Sequence, residues 1–180
     1  RLIRKYVHHD AHLIADNSPD DGTADAIRAT AARHGVPYLR LPPSELHAAI
    51  MGGHHPSRSH GLALNWVWHN VIKPGRPAAF GYLEDDLFPT TPHDPFEPLE
   101  RQDFYGAVRT ARERWFLWAG YCVFRFAAVA DKPLDFRQDW FIGLDTGGGN
   151  WNPLYRHHDL VRLEKPAWIE VALDLAGGGP

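Results

Sequence analysis

Five apolar or small residues, Ala79-Phe80-Gly81-Tyr82-Leu83, run directly into three consecutive carboxylates, Glu84, Asp85 and Asp86. Leu87-Phe88-Pro89 then resumes apolar character. A short apolar run bounded by a turn reads as a buried strand, and its unbroken character is that of a parallel strand covered on both faces. Charges at the end of such a strand need a partner, because an uncompensated buried carboxylate is very costly. A hard divalent cation is one natural partner, since Mg2+ and Mn2+ favour carboxylate oxygens and leave positions open for phosphates. An acidic turn after a strand is the other account of the same residues.

Two further segments bear on the choice. His12 to Thr23, HLIADNSPDDGT, reads as a strand that breaks into a turn and then a helix beginning near Thr23. A carboxylate there, Asp16, ends a strand on the side where open α/β sheets bind ligands, and it can accept from base N–H or ribose hydroxyl groups. The alternative is a plain turn at Asp20-Asp21-Gly22 with Thr23 as helix cap. Ser59 to Ile72, SHGLALNWVWHNVI, reads as a helix carrying Gly61, Ala63 and Asn65.

In this order and spacing the three segments resemble the GT-A glycosyltransferases of the nucleotide-diphospho-sugar transferase superfamily. Asp16, Asn17, Asp21, Gly22 and Thr23 are in register with a D-N-x-x-x-D-G-T signature, and Glu84-Asp85-Asp86 resembles a DXD-type motif. The 59–72 segment is similar to a helix running beneath the diphosphate, with Leu64 where that pattern has arginine. The likeness covers about residues 11–89 well and the remainder loosely.

The resemblance implies an α/β, Rossmann-like GT-A fold with a mostly parallel central sheet flanked by helices. It implies one domain over residues 1–180, with a nucleotide-sugar-binding half at 1–89 and an acceptor-side half at 90–180. It further implies a donor site of Asp16, Asn17, Gly61, Asn65 and Asp85, and a Mn2+ or Mg2+ ion on Glu84 and Asp86, with His157 a further candidate ligand. The partners implied are a nucleotide-diphospho-sugar donor and a glycan or other hydroxyl acceptor. The family's first strand is not found ahead of residue 11, so the expectation is of a fragment lacking it.

Composition fits a folded domain. The chain has 180 residues, 44% hydrophobic and 23% charged, enough to bury a substantial core. A net charge of −3 gives no basic surface for nucleic acid. No apolar run approaches the roughly 18 residues that span a bilayer. The single Cys122 cannot form an internal disulfide and fits a reducing compartment, so a cytoplasmic location is expected.

Along the chain the pattern alternates. Strands are expected at 11–16, 36–41 and 78–84, helices at 23–34 and 59–72, and loops at 44–60 and 90–98. Residues 103–110 and 114–119 read as strands, and 121–130 as a strand or a helix. Strand, helix, strand, helix, strand is doubly wound order. Trp115, Trp118 and Tyr121 are able to stack on a sugar, though large aromatics more often fill cores.

Trp140 to Trp151, WFIGLDTGGGNW, brings an apolar run into Asp145-Thr146-Gly147. One Asp-Thr-Gly is also half of an aspartic protease pair, but the α/β order of the first half opposes that all-β class. Asp145 is instead a candidate general base on the acceptor side, with Asp139 a second. Partial burial behind the apolar run would raise the Asp145 pKa, and Gly147 to Gly149 would leave its approach open. Most of the twelve histidines read as solvated, since adjacent pairs such as His157-His158 rarely point the same way and no H-E-x-x-H occurs.

The expectation is therefore a metal-dependent glycosyltransferase, the alternative a non-catalytic carbohydrate- or partner-binding module. No Gly-rich, arginine-containing phosphate loop opens the sheet, which sets a nucleotidylyltransferase aside.

Overall fold

The computed structural model describes residues 1–42 and 56–167. The expected loop at 44–60 falls mostly outside these residues. Helix α1 (Leu2–Tyr6) is followed by β1 (Ile14–Asp16), α2 (Asp21–Arg33), β2 (Tyr38–Arg40) and α3 (Pro56–Val67). Then come β3 (Ala79–Leu83), β4 (Phe104–Ala111), β5 (Arg114–Arg125) and the short α4 (Phe126–Val129), with single 3-10 turns completing the C-terminal part.

Among the described residues the expected Rossmann-like, mostly parallel central sheet is not there. Strands β1 and β2 form a two-stranded parallel pair, while β3, β5 and β4 form a separate antiparallel sheet with β5 in the middle. The apolar run at 79–83 misled because it is not covered on both faces. Phe80 is buried, but Gly81 and Leu83 are exposed. Its partner is β5, much longer than read from sequence: the 114–119 strand continues to Arg125, and only Phe126 onward turns helical. A two-residue connection, Arg112-Glu113, folds β5 back on β4, with Arg112 at φ 56. Such a tight reversal can join only antiparallel strands.

Helix α2 starts earlier than expected. Asp20, not Thr23, is the N-cap, and its carboxylate accepts from the Thr23 N–H at 2.8 Å. This satisfies one of the donors every helix start leaves open.

Helix α3 joins the two sheets, and its sequence shows how. Residues four apart share a helix face, and three adjacent stripes meet three different surfaces. Ala63 and Val67 pack with Leu41 just beyond the parallel pair, and Ser59 heads that stripe. Leu64 and Trp68 enter the main core with Phe80, Phe104 and Phe124, with His60 at their head. Gly61 and Asn65 face the 135–137 segment. Beyond Val67 the helix opens into a π turn, Trp68–Ile72, with Lys73 N–H donating to the Trp68 carbonyl. Pro74 follows and has no N–H for a carbonyl one turn back, which disfavours the ordinary ladder there.

The core is aromatic. Phe80 stacks on Phe124 with centroids 5.3 Å apart, and Trp68 lies 5.3 Å from Phe80. Trp115 is buried in it, so that candidate sugar platform is a packing residue. No helix among the described residues is long and apolar enough to cross a membrane.

Candidate functional site

The head of α3 gathers what the sequence keeps apart. Asn17, just past β1, donates to the Ser59 hydroxyl at 3.2 Å. Glu84, just past β3, sets its Oε1 3.0 Å from His60 Nδ1. Thr146 donates its hydroxyl to the Ser57 carbonyl at 3.3 Å. The Asp16–Asn17 loop, the Glu84 turn and the 145–147 turn thus converge on one end of one helix.

A bulge in β5 shapes the side wall. Gly106 and Val108 on β4 face Cys122 and Leu117 on β5, so β5 carries extra residues between them. Bulges of this kind re-aim side chains and are frequent beside active sites. Here the Gly120 carbonyl accepts from the Glu84 N–H at 2.9 Å, and Trp118 is left half-buried. A Cβ on Gly120 would fall 2.4 Å from the Trp118 ring and 2.6 Å from Glu84 Oε2. Glycine at 120 is what lets the indole and the carboxylate lie together over the strand. Tyr121 is not a stacking platform: its hydroxyl lies 2.5 Å from His93 Nε2, and burial pushes its pKa up.

The predicted donor residues take different parts. Asp16 is only 4% exposed, and it is saturated. One oxygen accepts from the backbone N–H and hydroxyl of Ser18, the other from the Tyr38 hydroxyl at 2.6 Å, with Arg40 at 3.3 Å. Burial alone would push its carboxyl up, but the bonds from Ser18 and Tyr38 and the charge of Arg40 outweigh it and hold it below the usual carboxylate range. Asp16 therefore fixes the loop that carries Asn17 instead of offering an open acceptor.

Gly61 and Asn65 dock α3 against the 135–137 segment. A Cβ at 61 would sit 2.7 Å from Arg137 Cα. Asn65 donates to Asp135 at 2.8 Å and accepts from the Phe136 N–H at 2.8 Å. Arg137 closes the cluster with a forked contact to Asp135.

Asp85 and Asp86 stand exposed on the turn after β3, without a partner among the described residues, and Glu84 is engaged by His60. No three His, Cys, Asp or Glu side chains are grouped as a metal-ligand set among the described residues. The exposed pair still suits Mg2+ or Mn2+, which are commonly held by one or two carboxylates with substrate phosphates and water completing the shell.

His157 lies elsewhere. Its neighbour His158 packs edge-on against Phe104 at 4.7 Å, level with Phe124 and so with Phe80 near the start of β3. Glu84 is four residues further on, about 13 Å along the strand at the usual rise per residue.

Asp145 is exposed, not half-buried as expected, and its Oδ1 accepts from the Thr146 N–H at 2.7 Å. The triple glycine behind it is no open approach. Gly147, at φ 96, would place a Cβ 2.4 Å from the Leu117 carbonyl, and Gly148 one 2.2 Å from Leu144 Cβ. Asp139 pairs its backbone with Leu144, closing a loop whose tip exposes Trp140 and Phe141.

His60 was missed because a lone histidine in a helix carries no spacing signal. Its i, i+4 relation to Leu64 and Trp68 was the one available clue that it borders the core.

No family model, curated protein or solved structure matched this chain on comparison.

Proposed function

We propose that the protein transfers a glycosyl group from a nucleotide-diphospho-sugar to a hydroxyl acceptor. The observation that carries this is the convergence at the head of α3 of the Asn17 loop, the Glu84–Asp86 turn and the Asp145–Thr146 turn. A donor diphosphate needs positive charge beside the sugar it leaves, and Asp85 and Asp86 would hold a Mn2+ or Mg2+ ion for it. That ion would neutralise the departing diphosphate as a Lewis acid. Trp118 offers a half-exposed indole to a sugar ring, whose C–H face suits an aromatic surface. Asn17 and the acceptor-side Asp145 complete the polar lining. A cytoplasmic setting belongs to the same proposal, on the strength of the single unpaired Cys122.

The alternative is a non-catalytic module that binds carbohydrate or a partner, favoured by the exposed Trp140 and Phe141 at one loop tip. Calorimetry with UDP and GDP, with and without Mn2+, separates the two. Metal-dependent nucleotide binding that Asp86→Ala abolishes supports transfer. Glycan binding indifferent to metal and nucleotide supports the module, and equal metal-dependent binding by wild type and Asp86→Ala removes the metal assignment.

A further inference from the structure

We propose that the hydrogen bond between His9 and His12 is an acid-sensitive catch. A second proton on this pair releases the N-terminal segment, α1 with residues 7–12, from the body of the protein.

The segment is fastened from outside the core. Helix α1 buries none of its five residues. Polar contacts hold it instead: Arg4 donates to the Gly35 carbonyl at 2.8 Å, and the His93 N–H to the Tyr6 carbonyl at 2.6 Å. The His8 N–H donates in turn to the His93 carbonyl at 2.8 Å. Elements with few buried apolar contacts lie at the low end of the local stability scale and open first. One imidazole ties the backbone between α1 and β1. His9 Nδ1 lies 2.7 Å from the Val7 carbonyl, and its Nε2 lies 3.0 Å from His12 Nδ1. The two rings meet edge to face, with centroids 4.9 Å apart.

Counting protons shows why this tie is sensitive to acid. A carbonyl only accepts, so His9 Nδ1 carries a hydrogen. In the neutral pair His9 Nε2 then accepts from His12 Nδ1–H. One added proton is accommodated on His12 Nε2, with the bond between the rings unchanged. A second has only His9 Nε2 left to take it. Two N–H groups then face each other across the gap with no acceptor between them, and both rings are charged. That state does not keep the bond, and the turn over residues 7–12 opens.

The neighbouring charges set the direction. Burial lowers the His12 pKa, and the charges of His9, Arg4 and the Arg1 α-amino group lower it further. A folded value below the unfolded one, about 6.5 for histidine, means fewer protons bound in the docked state. Docking is therefore complete above the unfolded value and is lost as pH falls through the folded one. His8 acts in the opposite sense. Its hydrogen bond to Asp94 and the charge of that carboxylate raise its pKa, with Asp10 adding to them, so its contribution is complete in acid and lost as pH rises. His93 is lowered by burial, against the charges of Asp94 and Glu97. Its Nε2 meets the Tyr121 hydroxyl at 2.5 Å, a group that donates to the neutral ring and accepts from the charged one. Protonation of His93 therefore keeps its contact. Lys5, in the same cleft, sits 4.5 Å from the Tyr6 ring centroid. The clash itself needs only the two rings of His9 and His12.

Hydrogen exchange on the whole chain, from about pH 7.5 to about pH 5 and corrected for the intrinsic pH dependence of exchange, tests this. Protection of the His8 and His93 amides should fall about tenfold or more across that range. The Phe126 N–H, bonded to the Ala78 carbonyl, should keep its protection. His12→Gln cannot take the second charge, so its loss of protection should shrink to about twofold or less. His93→Gln should release as wild type does, and His8→Gln, without the opposing contribution, should release more. Nitrogen-15 NMR of the wild-type rings should place the release on the second proton of the His9–His12 pair. Protection that does not change with pH in wild type overturns the inference, as does release in His12→Gln as steep as in wild type. Should His12→Gln be undocked at both ends of the range, the ring titration decides. Release with the second proton of the pair upholds the catch, and release with the proton of His93 or His8 overturns it.

Discussion

Asn65 and Asp135 meet at 2.8 Å across 70 residues of chain, and the same side chain accepts from the Phe136 N–H. One amide thus uses both its donor and its acceptor to clamp an irregular segment to α3. The close approach is possible only because Gly61, one turn earlier, presents no side chain to Arg137.

Removing that clamp should be costly. Asn65→Ala leaves the Phe136 N–H without its acceptor and Asp135 without one of its donors, so a loss of about 1–3 kcal/mol is expected in urea unfolding. Asn65→Asp should be no better, because it sets a second carboxylate against Asp135. A change below a few tenths of a kcal/mol in both variants would show that other contacts hold the segment.

The triple glycine offers a controlled comparison. Gly147→Ala meets both a left-handed backbone at φ 96 and a carbonyl 2.4 Å from the new methyl. It should destabilise by about 2–4 kcal/mol, the range of strained and overpacked sites. Gly143→Ala, at φ 78 with open space around it, should cost only about 1 kcal/mol. Equal thermal midpoints for the two variants would contradict the packing described for the 145–149 turn.

Acid should destabilise the protein through Asp16 and Asp135. Both carboxyls are buried in part or whole, which raises their pKa, yet bonds from Ser18 and Tyr38 in one case and from Arg137 and Asn65 in the other leave each below the ordinary value. A folded pKa below the unfolded one, about 3.9 for aspartate, means the group binds fewer protons when folded. Its contribution to stability is complete above the unfolded value and is lost as pH falls through the folded one. Unfolding free energy measured between pH 6 and pH 2 should therefore fall more steeply in wild type than in Asp16→Asn. Parallel curves would mean that Asp16 titrates alike in both states.

Gly120→Ala should separate binding from folding. The new methyl meets the far edge of the Trp118 ring and a carboxylate oxygen of Glu84. These side-chain ends can shift, so a stability loss of only about 1 kcal/mol is expected, toward the low end for overpacking. Displacing both groups should nonetheless weaken glycan or donor-sugar binding at least tenfold, as Trp118→Ala should. Titration with a panel of monosaccharides and UDP-hexoses checks this, and unchanged affinity in both variants would exclude the β5 bulge as a sugar-binding wall.

The sequence by itself determined the local elements. The strands β1, β2, β3 and β4 and the helices α2 and α3 lie where hydrophobic period, caps and turn residues place them, with ends shifted by a few residues, whereas β5 runs on to Arg125, well past the strand read at 114–119. It also showed that an acidic turn follows β3, because carboxylates after an apolar run are visible without coordinates. Only the tertiary structure decided how those strands pair. An unbroken apolar run such as Ala79–Leu83 looks the same whether its partner is parallel or antiparallel, and the long reach of β5 through Arg125 made it the antiparallel neighbour. The same holds for side-chain roles. Asp16, Gly61 and Asn65 carry the residue types of a ligand site, yet their hydrogen bonds and contacts go to Ser18, Tyr38, Arg137, Asp135 and Phe136. His60 carries no motif spacing in the chain and meets Glu84 only because α3 lays one stripe of its surface along β3. Period and propensity are properties of neighbours in sequence, whereas polar partners are chosen by whichever groups the packing brings within 3 Å.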